Sequence, residues 1–262
     1  MRKHLYTAVP GILALCAVLA GGCGGGGSAP APASAAQSRG TVSVGLQFAS
    51  LPKARAAVKG KTKSAAKPAT RAPYPGNIPV GTLSVQVTIT NPSTGAALAP
   101  PRIVTAPADV NGVKPLVTVQ YAALPAGPVR VDVSAFPNDN ATGNVLATGS
   151  ATGQITALQT TTLSAPMALT IKSLTVSPNS IILGNDGGQA NIVAKALDAN
   201  GQPLDLPLQY ISSDPDIADV QLGSDPTQAT IISGVPTGTI QITVYEPNSE
   251  LSATVSVTVE IL

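Results

Sequence analysis

The most regular pattern in the chain is an alternation of apolar and polar positions over residues 82–90, TLSVQVTIT. Leu83, Val85, Val87 and Ile89 fall on one face, and hydroxyl or amide side chains fall on the other. A period of two with one polar face predicts a half-buried antiparallel strand. We expect the four aliphatic side chains to enter a core.

The same alternation recurs along the chain, with turn residues between the repeats. It is present at residues 41–48, 116–121 and 128–136, and two shorter strands are predicted within 144–164. Strands at intervals of 8–12 residues predict a β-sandwich. No helical periodicity is present after residue 23, so the predicted fold class is all-β.

The amino terminus follows a different pattern. Arg2, Lys3 and His4 precede an apolar run of small residues, which is typical of a secretory signal peptide. The stretch LAGGC at residues 19–23 resembles a bacterial lipobox, although Ala20 occupies the place where Leu is usual. The resemblance implies a signal peptide over residues 1–22 and lipidation of Cys23, with Cys16 the poorer candidate. Ordinary signal cleavage with loss of Cys23, or a retained membrane helix, are the alternatives.

A low-complexity segment, GGGGSAPAPASAAQSRG, follows Cys23. It contains no large apolar residue and therefore cannot form a core. We interpret residues 23–40 as a flexible tether. Two sandwich domains are then predicted, over residues 41–168 and 169–262. The first is Ig-like or prealbumin-like and carries a basic loop at 49–78.

Residues 170–262 carry a family resemblance. The stretch YISSDPDIADV resembles the W-x-S-S-x-x-x-x-A-x-V motif of bacterial Ig-like domains of group 2, found in intimin- and invasin-like proteins, with Tyr210 in the place of Trp. The opening Val-Ser-Pro and the closing Thr-Val-Ser-Val-Thr-Val strands also match. The resemblance implies an Ig-like sandwich with Tyr210, Ala218 and Val220 directed toward its core. We expect this unit to fold alone.

Charge is divided between the two predicted domains. Residues 23–169 carry eleven Lys or Arg and three Asp, which gives 11 − 3 = +8, and residues 170–262 carry two Lys and ten Asp or Glu, which gives 2 − 10 = −8. Most of the positive charge lies in a run without acidic residues, formed by Lys53, Arg55, Lys59, Lys61, Lys63, Lys67 and Arg71. The run is interpreted as a solvated linker or as a contact for an anionic envelope polymer. It lacks interleaved aromatic residues, so nucleic acid is not an expected partner.

The chain offers few residues for catalysis. Its single histidine, His4, lies in the predicted signal peptide, and charged residues make up only 11% of the sequence. The Ser50–Lys53 stretch, SLPK, matches the S-x-x-K pattern of serine acyl-transfer enzymes, but the partner motifs are absent. The DANGQ stretch at 198–202 is predicted to be a hairpin turn rather than a calcium site. We expect no catalytic residue, no cofactor and no metal.

These observations predict a non-catalytic lipoprotein of the cell envelope, held in the outer membrane or at the cell surface. Its Ig-like domains would serve in adhesion or as a spacer, and its partners would be the membrane, an anionic envelope polymer or another surface protein. The alternative is a periplasmic scaffold or accessory subunit of an envelope assembly. A hydrolase is the weakest alternative.

Overall fold

The computed structural model describes residues 38–50, 77–249 and 251–261, and strands dominate them. Regular helix in this part of the chain is limited to one 3₁₀ turn, Asp139–Ala141. The prediction of an all-β protein is therefore confirmed. No helix among the described residues is long and apolar enough to cross a membrane.

The described residues of the amino-terminal half form eight strands. These are β1 (Arg39–Leu46), β2 (Ser84–Thr90), β3 (Ala97–Thr105), β4 (Val117–Pro125), β5 (Gly127–Phe136), β6 (Ala147–Ile155), β7 (Thr160–Leu163) and β8 (Met167–Leu169). They form a three-stranded sheet in the order β4-β1-β7 and a five-stranded sheet in the order β3-β2-β5-β6-β8. The β1–β7 pair is parallel, and the other pairs are antiparallel. Strand β1 includes the last two residues of the predicted tether, Arg39 and Gly40.

The core of this half follows the predicted alternation with one difference. Val85, Val87 and Ile89 are fully buried, whereas Leu83 is 48% exposed because it lies before the first residue of β2. Ser84 takes the buried position instead. Its hydroxyl donates a hydrogen bond to the carbonyl of Asn138 and accepts one from a nearby backbone N–H, so its burial leaves no unpaired polar group.

Nine strands are present in the described part of the carboxy-terminal half. These are β9 (Ile171–Ser177), β10 (Ser180–Gly184), β11 (Gln189–Asp198), β12 (Pro203–Leu204), β13 (Gln209–Ser212), β14 (Ala218–Leu222), β15 (Gln228–Ser233), β16 (Gly238–Tyr245) and β17 (Ser252–Glu260). One sheet has the order β10-β17-β16-β13. The other has the order β12-β11-β15-β14, with β9 paired to β11.

Successive strands β9 and β10 belong to different sheets of this second sandwich. β9 pairs antiparallel with β11, and β10 pairs parallel with β17 on the other side of the core. Side chains from both sheets fill the space between them; the most deeply buried are Ile192, Ala194, Ala218, Ile231, Ile242, Val244, Val255 and Val257. The core is therefore almost entirely aliphatic, as the low aromatic content requires.

Candidate functional site at the junction of the two sandwiches

The two sandwiches are joined by a single residue, Thr170, which lies between β8 and β9. The backbone N–H and the hydroxyl of Thr170 each donate a hydrogen bond of 3.0 Å to the carbonyl oxygen of Leu146. The connection is thus hydrogen-bonded to the first sandwich, and no flexible linker separates β8 from β9. Residues Gln37–Leu262 accordingly form one compact unit.

An apolar cluster lies on either side of this connection. Its buried members are Leu146, Ile171, Ala196, Leu204 and Leu206. Leu146 comes from the first sandwich and is fully buried, and Leu206, from the second, is 1% exposed. Burying a leucine to this degree stabilises the folded chain by about 1.5–3 kcal/mol, and part of that burial comes from contact between the halves.

A polar network crosses the same junction. The side-chain oxygen of Asn248 accepts a 3.1 Å hydrogen bond from the backbone N–H of Val80, which belongs to the first half. The Asn248 amide nitrogen donates a 2.6 Å bond to the carboxylate of Glu246, which is completely buried. The second carboxylate oxygen of Glu246 accepts the backbone N–H groups of Asn248 and Ser249.

Among the residues that the structure describes, the partners of this buried carboxylate are N–H groups and not a cation. Three N–H donors meet the two oxygens of Glu246, and a charge without such partners would be very costly to bury. The turn that follows β16 is thereby fixed in the shape that presents Asn248 to Val80. The chemistry of the site is structural: it sets the position of one sandwich on the other.

A second hydrogen bond ties the halves together nearby. The side-chain nitrogen of Asn144 donates to the carbonyl oxygen of Pro203 at 2.7 Å. Gly81 lies so close to Pro207 that a Cβ atom on it would be 2.6 Å from the Pro207 Cδ atom. The backbone at Gly81 therefore lies closer to the Pro207 ring than a residue with a side chain would permit.

The predicted lipidation site and the basic run lie outside the described residues. This applies to Cys23 and to Lys53, Arg55, Lys59, Lys61, Lys63, Lys67 and Arg71. The points where the chain leaves and rejoins the described structure around the basic run are adjacent. Ala49 donates its backbone N–H to the carbonyl of Ile78 at 2.8 Å, and Ile78 donates to Gln47 at 2.9 Å. The roles of Cys23 and of the basic residues stay predictions.

The three motif residues of the second sandwich lie on consecutive strands of opposite sheets, Tyr210 on β13 and Ala218 and Val220 on β14. Ala218 is fully buried, while Tyr210 and Val220 are partly buried and pack against the core. The Tyr210 hydroxyl reaches the surface and donates to the carbonyl of Pro226 at 3.1 Å. Burial, and secondarily the negative charge of Asp225, raise the pKa of Tyr210 to about 12. The ring thus lies at the margin of the core with its polar end outward.

The residues considered for other chemistry have structural partners. The Ser50 hydroxyl donates to the Asp109 carboxylate at 3.2 Å and accepts the backbone N–H of Lys114 at 2.9 Å. Asp198 closes the predicted hairpin turn between β11 and β12, where its carboxylate accepts the backbone N–H groups of Asn200 and Gln202. Within the ranges that the structure describes, no three His, Cys, Asp or Glu residues are grouped as a metal site.

Sequence reasoning missed the residues that build the junction. Residues 246–249, EPNS, read only as a turn between strands, and nothing in the spacing indicates that Glu246 would be buried. It also missed Tyr121, a buried aromatic residue of the first sandwich, whose hydroxyl donates to the carbonyl of Val87 at 2.8 Å. Tyr121 ends the predicted strand 116–121 on its apolar side, so the alternation could have identified it as core.

No protein-family model and no curated protein matches the chain. Similar solved structures include domains 4 and 5 of the S-layer protein SbsC, at 14% identity and a TM-score of 0.32, covering 53% of this chain and 68% of that one. Invasin, a bacterial integrin-binding protein, gives 15% identity and a TM-score of 0.25, covering 84% of this chain and 39% of that one. A β-glucuronidase of glycoside hydrolase family 2 gives 14% identity and a TM-score of 0.28, covering 70% of this chain and 18% of that one. The likeness is distant in each case, and the β-sandwich assignment stands on the strand pairing described above.

Proposed function

We propose that the chain is a non-catalytic lipoprotein of the cell envelope that carries a rigid pair of Ig-like sandwiches, for adhesion or as a spacer. The observation that supports this best is the junction. Two domains that are joined only by a flexible linker need no shared core, whereas this pair shares buried leucines and a buried Asn248–Glu246 network. Stiffness is what a spacer or a display module requires.

The course of the chain through the first sandwich also suits display. β1 begins at Arg39, at the end of the predicted tether, and the Phe48–Ile78 bridge and Val80 follow at the far end of the strand. Eight extended residues span about 26 Å, so the junction lies roughly that far from the point where the tether joins. The second sandwich is then carried at the end away from the lipid anchor.

Replacing the proposed lipidated residue tests the anchor. The Cys23→Ser variant is expected to leave the membrane fraction and partition into the aqueous phase of a detergent separation, because it cannot carry acyl chains. Cys16→Ser is the matched control and is expected to stay with the membrane. A Cys23→Ser chain that still partitions with detergent would refute lipidation at this residue.

Exposure to added protease separates display from the scaffold alternative. On intact cells, a displayed chain is expected to be cleaved by proteinase K without lysis. The basic segment 53–71 offers cleavable Lys and Arg residues for trypsin as a second probe. Cleavage only after the outer membrane is opened would favour a periplasmic scaffold and overturn the proposal of surface display.

A further inference from the structure

One face of the second sandwich is lined by uncharged hydrogen-bonding side chains. The two central strands of its four-stranded sheet, β16 and β17, pair antiparallel, and every outward position from the start of each strand carries a hydroxyl or an amide except the last one of β17, which is Glu260. The four outward pairs are Thr239–Thr258, Gln241–Ser256, Thr243–Thr254 and Tyr245–Ser252. We refer to these eight residues as the hydroxyl face. The inward positions between them are aliphatic, so the face is the outer surface of a well-packed sheet.

The hydrogen-bonding capacity of the hydroxyl face is largely unused by the protein. Thr239 and Thr258 share a hydrogen bond of 3.2 Å, and the Tyr245 hydroxyl donates to Gln209 on the adjacent strand β13. Within the described part of the chain, the side chains of Gln241, Thr254 and Ser256 have no hydrogen-bond partner, and all three are exposed. Each hydroxyl can both donate and accept.

The charge around this face restricts what can bind to it. None of the eight residues is charged, whereas residues 170–262 carry a formal charge of 2 − 10 = −8. A polyanion would be repelled by the acidic surroundings, and a polycation would find a single carboxylate on the outer side of these two strands, that of Glu260 at the end of β17. The occupant that matches is uncharged and rich in groups that donate and accept hydrogen bonds.

The regular spacing points to a polymer. In a sheet, side chains on one face recur about every 6.8 Å along a strand and about every 4.8 Å between strands. Apolar surface is present at the margins of the hydroxyl face. It comes from Tyr245 at the end of β16 and from the exposed Ile182 and Ile211 on the flanking strands β10 and β13. Ser and Thr are rare among the energetic centres of protein interfaces, which argues against a second copy of this chain as the occupant.

We infer that the hydroxyl face of β16 and β17 binds a neutral polysaccharide. The hydroxyls of the sugar exchange hydrogen bonds with the Thr, Ser and Gln side chains, and the apolar faces of the sugar rings contact Tyr245. Many weak contacts along an extended chain give an affinity that grows with polymer length. The inference deepens the proposed display function by naming the class of ligand, and it rests on that function only for its biological use.

The test is affinity electrophoresis of the full chain, solubilised in detergent, in gels that contain hydroxyethyl cellulose, xyloglucan or galactomannan. Alginate serves as the anionic comparison. We expect retardation by at least one neutral polymer, little dependence on salt and no retardation by alginate. The double variant Gln241→Lys with Thr254→Lys places two long charged side chains on the face and is expected to weaken binding at least tenfold.

A matched variant controls for charge and folding. Gln189→Lys with Gln221→Lys adds the same two charges at exposed positions of the opposite sheet and is expected to bind like the unmodified chain. Absence of retardation by all three neutral polymers would overturn the inference, as would equal weakening by both double variants. A dimer in light scattering that Gln241→Lys with Thr254→Lys dissociates would overturn it in favour of self-association. Because binding is measured on purified protein, a failure of surface display would leave this result unchanged.

Discussion

Asn248 is the residue whose loss should most directly loosen the junction between the two sandwiches. In Asn248→Ala, the backbone N–H of Val80 loses its acceptor, and the carboxylate of Glu246 loses one of its three donors. Val80 is 5% exposed and Glu246 is fully buried, so water cannot readily replace either partner. Both halves of the chain are therefore affected by a single side chain.

The expected magnitude follows from these two losses. A buried donor left without a partner costs about 1–3 kcal/mol, and a hydrogen bond to a charged group contributes about 1.5–3 kcal/mol. Local relaxation of the structure offsets part of these two costs, so we expect Asn248→Ala to lower the free energy of unfolding by about 3 kcal/mol. Urea denaturation followed by circular dichroism measures it. Gln189→Ala, at an exposed position of β11, is the control and is expected to change it by less than about 0.5 kcal/mol.

A second substitution at the same position separates the two losses. Asn248→Asp keeps an oxygen for Val80 but places a second carboxylate where the Asn248 amide lay, 2.6 Å from Glu246. The folded variant then binds a proton more readily than the unfolded chain, so its stability rises as the pH is lowered. At neutral pH it should be less stable than Asn248→Ala, and at mildly acidic pH the gap should close. Equal stability of Asn248→Ala and the unmodified chain would refute the reasoning.

Two further predictions concern single residues of the second sandwich. A Cβ atom on Gly234 would lie 2.0 Å from the carbonyl oxygen of Asp216, so Gly234→Ala should lower the free energy of unfolding by about 1–3 kcal/mol. Gly223→Ala is the control in the same urea experiment and should change it little, because the nearest atom to its Cβ would be 3.7 Å away. Tyr210 should release its phenolic proton at about pH 12, seen as a late rise in phenolate absorbance that is missing in Tyr210→Phe. Because this pKa is raised in the folded state, the associated stability is lost as pH rises from 10 to 12; a Tyr210 titrating near 10 would contradict its partial burial.

The fold class could be predicted from the sequence because strand periodicity is a local signal. The alternation at 82–90 identified β2 and its three buried aliphatic residues, and the hairpin turn at Asp198 was identified from Asn-Gly chemistry. The prediction for Leu83 was wrong because β2 begins at Ser84 and not at residue 82. The first residue of a strand depends on where its partner strand lies, which the alternation does not show. Only the long-range bond of Ser84 to Asn138 shows which residue is buried there.

The junction could not be predicted for a related reason. Its members, among them Val80, Leu146, Leu206 and Asn248, are far apart in the sequence and belong to no shared periodic pattern. Asn248 follows a proline in a short turn, a context in which asparagine is usually exposed. Burial of Asn248 and Glu246 depends on where another sandwich lies, and single-sequence patterns carry no information about that.

The shared contacts also bear on the expectation that residues 170–262 fold alone, which stays a prediction. The core of the second sandwich is complete without the first, since its buried aliphatic side chains come from its own two sheets. Isolation would nevertheless expose Leu204 and Leu206, which are 3% and 1% exposed in the joined chain, and would remove the partner of Asn248. Two leucines at about 1.5–3 kcal/mol each are a large share of the 5–15 kcal/mol that separates folded from unfolded domains. We therefore expect isolated 170–262 to keep its aliphatic core and to lose stability at the end that contacts the first sandwich. The same contacts are the ones that would hold the two sandwiches in a fixed arrangement.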